Sequence, residues 1–311
     1  MRLALDRSLD FKDEANLNSN TSDQTYKRDV FSLLFHQQIT RTLVFTATRR
    51  GHFAIGDVYV AGHDFFFRPC GYEEFPSTSE CYVYPKQIST RRLSIVYEAV
   101  SGMVITRNML YPDPFEFSGI RDYRPEDPMN HINWKASARG EGLMVNQFDA
   151  TTEADLVLIV DLEDTAALKH DELTEESIRI ASSFAATVLR QKLPLRIETN
   201  AIDVTTGGLW SEYYPAGGLG ISRMNQKFAC VDTSIITEMP QDLLKRITEN
   251  QDYSRKSCVL ISKNLADPGP ELLACLAPFA GKLLAVIPFS GTSPAPEVKI
   301  PGVQVIPWEV T

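Results

Sequence analysis

Two stretches of this 311-residue chain carry side chains able to do chemistry. In the first, Gly119 to Gln147 (GIRDYRPEDPMNHINWKASARGEGLMVNQ), Arg121, Lys135 and Arg139 can converge near Glu126 and Asp127, with Tyr123 and Trp134 close by. Arginine forks suit carboxylate and phosphate. The cluster therefore reads as an anion- or partner-binding surface, or as an ion-pair network bracing two domains with Trp134 as packing. His131 lies in the same stretch, but a base needs an activated nucleophile and none accompanies it. In the second stretch, Asp161, Glu163, Asp164 and His170 follow an apolar run. Paired carboxylates do acid–base work when their surroundings split their pKa values; otherwise they are solvated or cap helices. The glycine clusters Gly207-Gly208 and Gly217 to Gly220 do not form the lysine-ended phosphate loop and read as ordinary loops.

The elements that must position these residues change character midway. Asp127-Pro128 is a helix-start signal, and the helix runs to Arg139 and stops at Gly140. Arg121 and Tyr123 alternate on extended chain and point the same way. Upstream, residues 1 to about 30 are polar, and Asn16 to Gln24 reads as a loop or disordered connection. Arg41 to Phe67 alternates like strands, and Glu80 to Pro85 and Leu93 to Tyr97 read as further short strands. This half is an antiparallel, sandwich-like β domain with few strands before Arg41.

Downstream the period changes. Ala154 to Leu162 is a near-continuous apolar run, as in a strand covered on both faces. Thr174 to Lys192 is an amphipathic helix capped by Thr174, and Leu195 to Thr199 a strand. A helix over Asp242 to Thr248, a strand over Ser257 to Ser262, a helix over Pro270 to Ala280 and strands at Leu283 to Phe289 and Val303 to Trp308 follow. Such alternation implies a mainly parallel sheet with helices on both faces. The fold class is thus α/β plus all-β: residues 1–117 a β domain, 118–150 a signature linker and helix, 151–311 a Rossmann-like α/β domain.

A formal net charge of -9 argues against a nucleic-acid binder, which needs a basic face. The five cysteines lack metal-site spacing and read as reduced thiols of a cytosolic protein, with Cys70 and Cys81 near enough in sequence to pair in a hairpin. No apolar run approaches a membrane span, and charges interrupt any signal-peptide core, so the chain reads as soluble.

The run Gly119, Arg121, Tyr123, Pro125, Asp127, Ile132, Trp134, Lys135, Ser137, Ala138, Arg139, Leu143 and Val145 closely resembles the signature of the domain of unknown function 58 (DUF58) family. Glu126 and Asn130 depart from it, standing where Gly and Arg are usual. Arg50-Gly51, Gly56, Asp64-Phe65 and Cys81 to Pro85 look like the family's upstream β domain, and the α/β half like its von Willebrand factor A-like domain. The resemblance implies a non-enzymatic protein that works with a MoxR-type AAA+ ATPase in assembling or maturing other proteins. It also implies a place in the cytoplasm, at the inner face of the inner membrane, reached through helices not seen in this chain. A von Willebrand A domain often holds Mg²⁺ at the end of its first strand. Here the corresponding residues are Asp161, Glu163 and Thr165, with Lys263 where an Asp is favoured and Asp267 or Thr205 available to compensate. The expectation is no cofactor, with a Mg²⁺-dependent ligand-binding or adhesion module as the alternative. Partner identity and oligomeric state are not legible.

Overall fold

The computed structural model describes residues 1–11, 17–20, 24–110, 117–124, 129, 132–139, 142–148, 156–165, 170–215, 217–236, 238–250, 253, 256–291 and 294–310. The chain divides into two compact units. One comprises Met1–Gln87, Ile202–Gly208 and Ser222–Asp232, the other Ile88–Ala201, Leu209–Ile221 and Thr233–Thr311.

Among the described residues, the Met1–Gln87 part of the first unit holds the strands β1 (Arg2–Asp6), β2 (Leu9–Phe11), β3 (Leu17–Asn20), β4 (Gln24–Arg28), β5 (Phe45–Ala47), β6 (Gly51–Ala54), β7 (Val58–His63), β8 (Pro69–Phe75) and β9 (Glu80–Val83). They form a sheet in the order β3-β4-β1-β7-β8 and two pairs, β2-β5 and β6-β9, with antiparallel pairings throughout. Within the stretch Asn16 to Gln24, expected to be a loop, Leu17–Asn20 and Gln24 are strand residues, and residues 16 and 21–23 lie outside the described residues. β1 is central to the largest sheet, because Leu3 and Leu5 alternate into a core shared with Leu9 and packed by Leu43, Phe45 and Val58. Gly56 is required where its backbone meets β1: an added Cβ would lie 2.4 Å from the Ala4 carbonyl oxygen. All five cysteines are free thiols.

The second unit opens with α1 (Thr90–Leu110), where the sequence suggests a strand over Leu93 to Tyr97. Leu93, Val96 and Val100 are buried while Ile95 is 63% exposed. The period is that of a helix, and α1 packs on α3 and the parallel sheet. Next come β10 (Phe117–Asp122), α2 (Trp134–Ser137) and β11 (Met144–Phe148). β10 and β11 pair antiparallel, and Ile132 bridges Val145. That bridge and the cap at Asn133, whose side chain accepts the Ala136 amide at 2.9 Å, start α2 at Trp134, where the sequence suggests one helix running on from Asp127. Asp127 itself lies outside the described residues.

The remaining elements are β12 (Leu156–Val160), α3 (Asp171–Arg190), β13 (Leu195–Asp203), β14 (Leu209–Tyr214), α4 (Gly218–Cys230), β15 (Val231–Ile236), α5 (Pro240–Glu249), β16 (Ser257–Ile261), α6 (Pro270–Leu276), β17 (Leu283–Ser290) and β18 (Gln304–Val310). The sheet order is β14-β13-β12-β16-β17-β18, with β15 on β13, and β13-β12-β16-β17-β18 are parallel neighbours. Val157 and Ile159 pack against Leu243, Leu244 and Ile247 of α5 and Leu272 and Leu276 of α6. Alternate residues of β12 face the other way, where α3 covers the sheet. α3 begins at Asp171, so Thr174 lies within its first turns and is no cap. No helix among the described residues is long and apolar enough to cross a membrane.

Candidate functional site

In open parallel sheets, ligands sit beyond the carboxyl ends of the central strands. Here that position belongs to Asp161, which leaves the end of β12 fully buried. Its Oδ1 accepts from Asn200 Nδ2 at 2.8 Å and from the Glu163 amide at 3.2 Å. Its Oδ2 accepts from Ser262 Oγ at 2.6 Å and Asn264 Nδ2 at 2.8 Å. One carboxylate thus ties the loops after β12 and β16 to β13. Burial pushes the Asp161 carboxyl above its ordinary pKa, against the pull of the Ser262, Asn264, Asn200 and Glu163 donors.

Asn264 is the second node. Besides Asp161 it donates to the Glu163 carbonyl at 2.9 Å, and its Oδ1 accepts from Thr165 Oγ1 at 2.7 Å. One amide therefore joins all three residues that the von Willebrand likeness assigns to Mg²⁺. Beside it the buried Lys263 ammonium meets Asp164 Oδ2 at 2.9 Å and donates to Thr174 Oγ1. A divalent ion of this kind wants a shell of oxygen ligands. With Asp161 saturated by four donors and an ammonium close by, the donor set does not fit it. Asp267 is exposed at the end of the turn after β16, and Thr205 donates to Asp203 at 2.6 Å in the first unit. No cluster of three His, Cys, Asp or Glu poised for a metal occurs among the described residues.

At the edge of this network Glu163, Asp164, Asp171, Thr174, Thr233 and Ser234 line a polar pocket with Leu162. His170 is exposed, and its backbone amide donates to Asp164 at 2.5 Å. Of the acid–base candidates, Asp161 is enclosed and only Glu163, Asp164 and His170 approach the rim.

A second buried node lies two residues before Asn200 on β13. Glu198 accepts from Arg196 Nε at 2.9 Å, Arg246 Nη1 at 2.8 Å, Ser211 Oγ at 2.7 Å and Tyr253 Oη at 2.6 Å. Burial raises its pKa, but Arg196, Tyr253, Ser211 and Arg246 together outweigh burial and leave it below the ordinary glutamate value. Arg246 also grips Glu238 through Nε at 3.1 Å. Neither Asn200, Asn264 nor Glu198 stands out from spacing. The one available signal is a Glu and an Asn inside the apolar run LRIETNAI.

The signature folds on itself. Ser137 Oγ donates to the Asn133 carbonyl at 2.8 Å and accepts the Met144 amide at 2.8 Å, while the Tyr123 amide reaches the Leu143 carbonyl at 2.8 Å. Arg121 Nη1 donates to the Asp122 carbonyl at 3.1 Å. Lys135 and Arg139 are exposed and Trp134 is 65% exposed, so the indole is not the packing anchor expected of it. Glu126, Asp127 and His131 lie outside the described residues. No curated protein matches the chain. Residues 119–199, which hold α2, β11, β12, Asp161, α3 and all of β10 after Ser118, match the family model described as "Protein of unknown function DUF58".

Proposed function

We propose that this chain is a non-catalytic interaction protein. Its α/β unit, of von Willebrand A type, presents the rim beyond the carboxyl ends of its strands to a protein partner. A MoxR-type AAA+ ATPase acting in assembly or maturation is the partner the family likeness suggests. One observation carries the reading: the strand-end carboxylate Asp161 is spent on four hydrogen bonds that hold the rim loops together. A general acid or base must reach the proton it transfers, whereas Asp161 faces only protein donors. A rim fixed in advance loses little conformational freedom on docking, which favours recognition.

The test is binding of the purified chain to a purified MoxR-type ATPase, followed by interferometry with and without EDTA. Glu163→Lys and Asp171→Lys should weaken binding about tenfold, as expected for charges in an interface, with melting unchanged and EDTA without effect. Binding indifferent to both substitutions would remove the rim from the interface. Binding abolished by EDTA would favour the Mg²⁺-dependent reading.

A further inference from the structure

Two neighbouring side chains of one short turn divide the rim between them. The 3-10 turn Lys263–Ala266 follows β16. From it, Asn264 reaches Asp161, Glu163 and Thr165 through bonds of 2.8, 2.9 and 2.7 Å. Lys263 takes Asp164, the residue of that loop between Glu163 and Thr165, with Nζ 2.9 Å from Oδ2. The same ammonium donates to Thr174 Oγ1 in the first turns of α3. The turn after β16 thus grips the loop after β12 at four residues, and Lys263 extends that grip to α3.

The chemistry at Nζ is that of a cation site. It gathers a carboxylate oxygen and a hydroxyl oxygen, the ligand types that a hard cation gathers. Lys263 and Thr174 are buried, and the Asp164 side chain is only 10% exposed. In such poorly hydrated surroundings the attraction between ammonium and carboxylate is stronger than in water. Burying an ammonium is costly unless it is paired, and Asp164 supplies the opposite charge. Asp164 Oδ2 also accepts the His170 amide at 2.5 Å, so the carboxylate that meets Lys263 fixes the residue before α3 as well. A bound ion stabilises only in proportion to its supply in solution. A cation carried on the chain cannot be chelated or diluted away.

We propose that the Lys263 ammonium is a built-in cation, which assembles the loops after β12 and β16 and the start of α3 in the place of an ion. The rim is then set by the chain itself. Its use in docking rests on the reading above, but the measurements that follow involve no partner, so each can fail alone.

Amide hydrogen exchange of a Lys263→Ala variant tests this on the whole chain. The Thr165 and His170 amides are held by Asn264 and Asp164. Their exchange should rise about a hundredfold, as expected where a buried charge loses its partner, while β12 and β16 stay protected. n-Propylammonium carries the atoms that the substitution removes, and the polar pocket lined by Asp164 and Thr174 gives it a way to both. In excess it should restore slow exchange, whereas n-propanol, similar in shape but uncharged, should not. Wild-type exchange should be the same in MgCl₂ and in EDTA. If Lys263→Ala does not fold alone, refolding it with propylammonium or with propanol makes the same comparison. Lys263→Met, which keeps the stem and loses the charge, repeats the exchange measurement. Rim amides as protected in the variants as in the wild type, rescue by propanol equal to that by propylammonium, rescue by neither, or slower wild-type exchange on adding MgCl₂ would each overturn the proposal.

Discussion

The Asn264 side chain donates to the Asp161 carboxylate at 2.8 Å and accepts from the Thr165 hydroxyl at 2.7 Å, so an amide stands between two of the residues that the sequence resemblance alone would assign to a metal ion. A neutral group with both a donor and an acceptor satisfies the carboxylate and the hydroxyl together, without an ion.

Asn264→Ala leaves a buried carboxylate oxygen short of a donor and should cost about 1–3 kcal/mol in urea denaturation. Asn264→Asp sets a second carboxylate against Asp161, and like charges that close disfavour each other's ionised form. Its melting temperature at neutral pH should fall below that of the wild type and recover in part with MgCl₂. The wild type should not respond to MgCl₂; a rise in its melting temperature would contradict the fit argued for this site.

Acid should test Glu198. Its pKa is lower in the folded protein than in the unfolded chain, so its contribution is fully present above the ordinary glutamate value of about 4.3. That contribution is lost as pH falls through the folded value. Asp161 runs the other way: its pKa is raised on folding, so its contribution favours the fold at low pH and is lost as pH rises through the folded value. Glu198→Gln isolates the first term. It should cost about 3 kcal/mol at pH 7, the low end for breaking a buried ion pair, because Arg196 and Arg246 keep access to water. Stability of the variant should decline less steeply than that of the wild type between pH 5 and pH 3, values spanning the ordinary glutamate range.

Tyr253→Phe removes one donor from the same carboxylate and should cost about 1–2 kcal/mol. Burial and the Glu198 carboxylate push the phenol well above its ordinary pKa. Ultraviolet titration of the folded protein should therefore lose its most alkaline tyrosine ionisation in the variant.

The helical period of α1 has a direct assay. Val96→Asp buries a charge against the core and should cost about 3 kcal/mol or more. Ile95→Asp faces water and should stay within about 0.5 kcal/mol. A strand through Leu93 to Tyr97 would exchange the two results.

Within the signature, Ser137→Ala breaks the link between α2 and β11 and should cost about 1–2 kcal/mol. Trp134→Ala should leave stability within about 0.5 kcal/mol. Thermal melts of both variants check this contrast, which separates the fold-holding hydroxyl from the solvent-facing indole.

The α/β half was legible because its determinants are local. Apolar runs such as LVLIV and SCVLI, short and rich in β-branched residues, suit strands covered on both faces, and the proline before QDLLKRITE starts a helix at its natural position. Local cues failed where two periods compete. Leu93, Ile95 and Tyr97 alternate like a strand, and only packing on α3 shows that Val96 is the buried residue. They failed again at the amino end, where β1 is a strand because β4 and β7 flank it from distant positions. The site was half visible: Asp161 could be placed at a strand end from its apolar run, but not its state. That state depends on Asn200 and Asn264, 39 and 103 positions away, brought to one carboxylate by parallel pairing of β12 with β13 and β16. Hydrogen bonds act over about 3 Å, so which donors reach a buried acid is decided by strand order and register, and those exist only once the sheet has formed.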